Sequence, residues 1–427
     1  MTHFGAICPA ATGHLNTMTA LGRELKTRGH RITVLGMPDA EPNTKAAGLE
    51  FRAISAAEFP VGTTAKFYEQ LGKLDGLAAL HYTISLSEKT TALFLRDAPQ
   101  VIKDAGIEAL IIDECIFGGS TVAEVLNIPF VTACSALVNS FDDSIPPAFT
   151  TWKYHLAWWA RLRNGAGYAL MHSFSKPIYK VISQYRREWK LPPCTSINDF
   201  YSASKLAIIS QQPAEFEYPR PNLFELLHFT GPHFDSTGRK PVDFPFAKLS
   251  GQPLIYASMG TLQNRLNHIF YCIAEACVGL NAQLVITLGG GLEPKALPNL
   301  PGNPLVVGYA PQLELLQKAT LTITHAGLNT TMESLSNGVP IVAIPITNDQ
   351  PGVAARVAWT GAGQFITTSR LTTGRLRRAI QEVLMQPSYK QNALRLQTAI
   401  NQAGGVRRAV DIIEQVISTN KLIINRN

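Results

Sequence analysis

Short apolar, β-branched runs alternate with amphipathic stretches along most of the chain, and partway through the alternation breaks off and starts again. Ile32-Thr33-Val34-Leu35, Ala109 to Ile112 and Phe130-Val131-Thr132 are the strand-like runs of the first half. Strands apolar throughout belong to parallel sheets covered by helices on both faces. After the first loop, Leu15, Met18, Leu21 and Leu25 fall on one side of a helix, and Gly29 stands where a C-terminal cap belongs. Between roughly Gly231 and Gln252 the composition turns to Pro, Gly, Asp and Lys, the mark of a linker. Pro253 to Ser258 opens a second set, continued by Gln283 to Leu288, Leu305 to Val307, Leu321 to Thr324 and Pro340 to Ile344. At 427 residues the chain is too long for one ordinary core. The expectation is α/β: two Rossmann-like, doubly wound domains over residues 1–240 and 241–427, with their strand C-termini facing a shared cleft.

The chemistry is written where strands end. Leu321-Thr322-Ile323-Thr324 runs directly into His325-Ala326-Gly327, and a helix should start near Leu328 or Asn329. Its first turn offers unpaired backbone N–H groups and the positive end of the helix dipole, with Asn329, Thr330 and Thr331 adding side-chain hydrogen bonds. Such a terminus binds phosphate. Ser258-Met259-Gly260-Thr261 also follows a strand and precedes an amphipathic helix, so its amides and the Thr261 hydroxyl suit phosphates as well. Gly289-Gly290-Gly291 follows a strand too, but a bare glycine run reads as a loop.

From Tyr309 to Gln350 the chain reads Y-A-P-Q, then T-H-A-G-L-N-T-T-M-E-S, then G-V-P-I-V-A-I-P and N-D-Q. This resembles the signature box of the nucleotide-sugar-dependent, family 1 UDP-glycosyltransferases of the GT-B fold. Within them T-H-A-G-L-N-T and N-D-Q-P-G-V-A-A-R look most like the bacterial zeaxanthin glucosyltransferases, with macrolide glycosyltransferases as more distant relatives. The resemblance implies that Tyr309 flanks the uracil, the segment at Gln312 contacts the base and His325, beside Gly327, touches the diphosphate. It further implies that Asn329 and Thr330 bind phosphate, Glu333 takes the ribose hydroxyls, and Asp349 with Gln350 holds the sugar. A carboxylate accepting two bonds from a vicinal diol fits the role of Glu333. Tyr309 and Leu328 stand where Trp is usual, which changes the stacking on the base.

Catalysis of sugar transfer needs a base for the acceptor hydroxyl. His14, in Ala11-Thr12-Gly13-His14-Leu15, lies at the exit of the first strand, where a helix start should lower its affinity for a proton. Asp113 ends the apolar run Leu110-Ile111-Ile112 and is placed to hold the other imidazole nitrogen, with Glu114 as the rival carboxylate. The resemblance agrees on both positions. His30 of Arg28-Gly29-His30 then reads as a solvated turn residue.

Other classes are set aside by composition and spacing. The net charge of +7 is moderate and mostly scattered, which does not indicate nucleic acid. No D-x-D pair or clustered His/Cys spacing calls for a metal, and the donor phosphates would be neutralised by His325, the helix end and amides. The six cysteines form no C-x-x-C pair, and most sit in apolar runs that read as core, as in a reduced cytosol. The start of the chain lacks a basic leader, and no apolar run is long enough to span a bilayer, so a cytoplasmic protein is expected.

One stretch, from Trp152 to Lys190, is unusually aromatic and basic. The resemblance implies that it walls a large apolar acceptor pocket, with peripheral membrane contact as the other reading. The expectation is therefore an inverting glycosyltransferase that uses UDP-glucose on a hydroxyl of a lipophilic small molecule. A sugar-nucleotide epimerase of the same fold and a catalytically silent nucleotide-binding homologue are the alternatives.

Overall fold

A computed structural model describes residues 1–71, 74, 76–138, 141–194, 204–220, 225–234, 242–261, 266–290 and 292–423. The expected boundary at 240/241 and Gly291 lie outside the described residues. The first sheet holds β1 (His3–Ile7), β2 (Arg31–Gly36), β3 (Glu50–Ala53), β4 (Ala109–Asp113), β5 (Phe130–Cys134), β6 (Ile208–Ser210) and β7 (Leu227–Phe229). The second holds β8 (Leu254–Ser258), β9 (Gln283–Thr287), β10 (Leu305–Val307), β11 (Ala319–Thr324), β12 (Ile341–Ala343) and β13 (Gly363–Phe365). Every pairing is parallel. The apolar strands follow from this, since helices cover both faces.

The strand orders, β3-β2-β1-β4-β5-β6-β7 and β10-β9-β8-β11-β12-β13, reverse direction once in each sheet. The reversal falls between β1 and β4 in the first and between β8 and β11 in the second. At such a point the connections leave to opposite faces and open a crevice at the strand C-termini. His14 and Asp113 follow or end the first pair of strands, and Ser258 and His325 the second.

Leu15, Met18, Leu21 and Leu25 of the helix Thr12–Thr27 are all buried against β1 and β2. That helix ends at Arg28, and Gly29 takes a left-handed φ of +89°, which a side chain would strain. The helix Gly405–Thr419 leaves the second domain and packs on this same face, burying Val410, Ile413 and Val416 in the first domain's core. Each such side chain contributes about 1.5 to 3 kcal/mol, so the last helix is part of the first domain energetically. His30 is held there as well: Nε2 lies 2.9 Å from Glu414 and the ring packs edge-on against Phe4. The solvated-turn reading is thus wrong, because the residue that covers His30 arrives from 384 positions away.

The two domains are also tied directly. Glu217 in the first accepts from Arg356 Nε in the second at 2.9 Å, both side chains are 2 % exposed, and Arg356 lies over the Tyr218 ring. The Gly352 N–H donates to Ala148 O at 2.8 Å, and a Cβ at Gly352 would come 2.5 Å from that oxygen. Two backbones meet there, so only glycine fits.

Candidate active site

His14 is the third residue of its helix, just beyond the turn at Ala11, and its Nδ1 lies 2.8 Å from Asp113 Oδ2. Asp113 is fully buried, while the imidazole keeps 21 % of its surface. The carboxylate is fixed from three sides, since Ser135 Oγ donates to Oδ2 at 2.6 Å and the Cys115 N–H to Oδ1 at 2.9 Å. An Asp that accepts on Nδ1 leaves Nε2 as the imidazole nitrogen turned to the cavity. Glu114, the rival, points elsewhere: it accepts the N–H groups of Ser135 and Ala136 at 2.8 and 2.7 Å.

The expected effect of the helix start on His14 does not prevail. Burial acts against its charge, but Asp113 in contact, with Glu114 and Asp349 nearby, outweighs burial and raises the pKa to about 9. A dipole of about half a charge at a helix end is weaker than a full carboxylate at hydrogen-bond distance.

The second wall centres on His325. A Cβ at Gly260 or at Gly327 would each come 2.5 Å from its Nε2, so the ring fits only between two glycines. Gly260 has φ of +77°, and Ala326 is left-handed at +66°, a local strain that turns the chain from β11 into the helix Leu328–Ser336. Burial pushes His325 down to about 4. The ring is therefore neutral rather than cationic, with a hydrogen bond to the Ser258 backbone.

In the helix Leu328–Ser336, Thr331 N–H is the first to bond within it, to Gly327 O at 3.0 Å, which leaves the amides of 328–330 at the cleft. The Asn329 side chain already bridges the domains: Nδ2 donates to Gly13 O at 2.9 Å and Oδ1 accepts from Gln211 at 2.6 Å. Its backbone N–H is what remains for an anion. Glu333, 2 % exposed, accepts from Gln312 Nε2 at 2.5 Å, and Gln312 also reaches Thr330 Oγ1 at 3.3 Å. Tyr256 on β8 donates to Gln312 Oε1 at 2.9 Å and so fixes which end of that amide faces Glu333.

Asp349 accepts the Leu137 N–H of the opposite domain at 3.0 Å, and burial pushes its carboxyl up. Gln350 turns its carbonyl back on the amides of Ile346 and Thr347, at 2.9 and 3.0 Å, which leaves its NH2 to donate. Tyr309 is half-exposed, lies against Gly290 and lines the cavity. Gly260 N–H lies 3.4 Å from Ser258 Oγ, and Thr261 follows at the cavity wall.

Of the site residues expected from sequence, all but Asp113 line one cavity of about 2230 Å³ that runs between the domains. Its first-domain wall is apolar, with Phe94, Phe117, Tyr168 and Phe174 among the lining. Sequence reasoning missed Ser135, Gln211 and Tyr256, which hold Asp113, Asn329 and Gln312. Ser135 and Gln211 directly follow β5 and β6, which was their only signal, and Tyr256, in the middle of β8, gave none.

His14, Asp113 and Cys115 offer three ligand atoms within 4.8 Å of one another, a grouping that local spacing did not reveal. The first two are already bonded to each other, and the Cys115 N–H donates to Asp113. The six cysteines are all free; Cys8, Cys134 and Cys277 are buried, whereas Cys115 is exposed and Cys194 and Cys272 are half-buried. The core reading holds for half of them. Among the described residues no helix is long and apolar enough to cross a membrane.

Residues 6–417 match the family described as UDP-glucoronosyl and UDP-glucosyl transferase. The chain belongs to that family. As a UDP-glycosyltransferase it is 30 % identical over 428 residues to a zeaxanthin glucosyltransferase of Pantoea ananas, covering 100 % of this chain and 98 % of the relative. A second zeaxanthin glucosyltransferase, from Pseudescherichia vulneris, is 28 % identical over 99 % of this chain and 100 % of its own. Among solved structures, the kitacinnamycin glycotransferase superposes with a TM-score of 0.76 at 21 % identity, over 97 % of this chain and 98 % of that one. A Streptomyces glycosyltransferase solved with thymidine diphosphate gives 0.67 at 16 %, over 97 % and 100 %. These structural likenesses establish the two-domain glycosyltransferase fold.

Proposed function

We propose that this UDP-glycosyltransferase moves glucose from UDP-glucose to a hydroxyl of a lipophilic, carotenoid-like small molecule, with inversion at the anomeric carbon. The observation that carries the reading is the 2.8 Å pair of His14 and Asp113, whose imidazole opens on the same cavity as Asn329, Glu333 and Asp349. The relatives whose names specify glucose transfer to zeaxanthin support the donor sugar and the acceptor class.

In this reading His14 Nε2 takes the acceptor O–H proton as that oxygen bonds to C1 of the sugar. The bond from C1 to the β-phosphate oxygen breaks on the opposite side, and UDP leaves with the electron pair. Asp113 holds Nδ1–H and stabilises the imidazolium that forms. Because the pKa of His14 is raised to about 9, its basic form is the minor one at neutral pH. The rate should therefore rise with pH toward that value. The leaving diphosphate meets the amides of 328–330 and the Gly260 turn beside the neutral His325 ring, dipoles already aimed before charge develops. Glu333 takes the ribose hydroxyls and Tyr309 flanks the base. Asp349 accepts from sugar hydroxyls, and Gln350 donates through its NH2.

Incubation of UDP-glucose with pooled lipophilic alcohols, read by mass, should give products heavier by one hexose. The His14→Ala variant should lose transfer by roughly 10² to 10⁴ in kcat and keep UDP binding by calorimetry. Full turnover in that variant would remove His14 from the mechanism. The epimerase alternative would show as a changed sugar on UDP without any acceptor.

A further inference from the structure

The helix Trp158–Phe174 is built the wrong way round for a surface helix in water. Trp158 is 73 % exposed, Trp159 46 %, Leu162 65 % and Leu170 58 %, and Ala166 and Ala169 are exposed with them. At 100° per residue these six fall within an arc of about 120°, joined only by the small polar Ser173. No charged side chain enters that arc. The face turned inward carries Ala160, Asn164 and Gly167 instead. Asn164 is held there by the carbonyl of Asp143 at 2.9 Å, and Gly167 lies where a Cβ would come 3.1 Å from Trp152. Side chains that normally drive burial therefore point outward on a well-anchored helix.

We propose that this face docks on an anionic lipid bilayer and brings the acceptor entrance to the membrane surface. Two observations favour lipid over a second copy of the chain. The first is charge. Of the chain's 38 Lys and Arg, eight lie in 151–190, against one of its 31 Asp and Glu, so the remaining residues carry 30 of each and are neutral. Arg161 and the buried Arg186 pair with Asp143 and Glu124, which leaves six cations against Glu188 in this stretch. Like charge would oppose pairing of two such faces, whereas an anionic surface attracts it. Tryptophans with leucines beside basic residues are the composition of an interfacial helix.

The second observation is continuity with the cavity. Leu170 and Phe141 are exposed to solvent and also line it, so they mark its rim at the end of the apolar face. Tyr168, Met171 and Phe174 carry the same helix inward along the cavity wall. An acceptor dissolved in the bilayer would pass into the cavity without crossing water. This part rests on the lipophilic-acceptor reading above.

The test is co-sedimentation of the full chain with vesicles of phosphatidylcholine, with and without phosphatidylglycerol, at low and high salt. Binding should require phosphatidylglycerol and weaken with salt, and W158S/L162S should partition about tenfold less. Neither residue lines the cavity, so that variant should turn over a water-soluble alcohol at the parent rate, which also shows that it folds. Absence of binding to phosphatidylglycerol vesicles, or equal binding by the variant, would overturn the proposal. So would a dimer in light scattering that the two substitutions dissolve, because the face would then join two copies. Vesicle binding is read without turnover. Loss of transfer with binding retained would therefore overturn the reaction and leave docking in place.

Discussion

Two histidines stand at matching places in the two halves of the molecule and have opposite character. His14 follows β1 and His325 follows β11, each beside the switch point of its sheet and each at or near a helix start. His14 is raised to about 9, and His325 is lowered to about 4. Burial penalises charge on both, so neither burial nor topology separates them. What differs is the neighbouring strand end. In the first domain it supplies Asp113 at 2.8 Å, and in the second it supplies Ser258 and a glycine turn with no carboxylate in contact with the ring. One fold thus yields a proton acceptor on one wall and an uncharged ring on the other.

Removing the carboxylate should collapse the difference. Asp113→Asn should lower kcat by roughly 10² to 10⁴ and bring the His14 pKa down from about 9, because burial is then opposed only by Glu114 and Asp349. A pH profile of kcat/KM and an NMR titration of the ring check both. An unchanged pKa in that variant would break the comparison at its root.

The two rings should also shape opposite edges of the stability curve. The raised pKa of His14 gives stability that is fully present below its unfolded value of 6.5 and is lost as pH rises through about 9. It amounts to roughly 3 kcal/mol at most. For His325 the sign reverses: the penalty appears as pH falls below 6.5 toward about 4, where the unfolded chain takes up a proton that the folded one refuses. Denaturant midpoints of His14→Gln and His325→Gln, measured across pH, should flatten the alkaline and the acid edge respectively.

A smaller effect is expected at the glycines that seat His325. Gly327→Ala should displace the ring and weaken UDP binding about tenfold, with little change in the His14 titration. Smallest of all, UDP affinity should change by less than about twofold from about pH 6 to about pH 8 through His325, since a ring that stays neutral has nothing to titrate there. Calorimetry reads both, and a steep loss of affinity over that range in the wild type but not in His325→Gln would show that the ring binds as a cation.

Much of this arrangement was legible in local sequence. Leu321 to Thr324 followed by His325-Ala326-Gly327 reads as strand, turn and helix start because period and propensity act over a few residues. The two-domain α/β plan followed in the same way, and the box from Tyr309 to Gln350 gave the family. What was not legible involves partners far apart in the chain. The segment at Gln312 was read as contacting the base, and local sequence gave no sign that its side chain bonds Tyr256 and Glu333. Asn329 was read as a phosphate ligand, yet its side chain is engaged by Gly13 and by Gln211, 118 residues away. The helix Trp158–Phe174 was read as one of two ordinary options, and only burial shows that its apolar side faces out.

The sequence by itself determined where polar groups could stand, because strand and helix boundaries are set by neighbours within a turn or two. It placed His14, Asp113, His325 and Asp349 at such ends. Tertiary structure alone decided what those groups are. A proton's affinity depends on charges a few ångströms away, and those come from other strands: Asp113 and Asp349 for His14, and no contacting carboxylate for His325. Charge state and closure of the cleft therefore belong to the fold, even though every residue involved can be named from the chain.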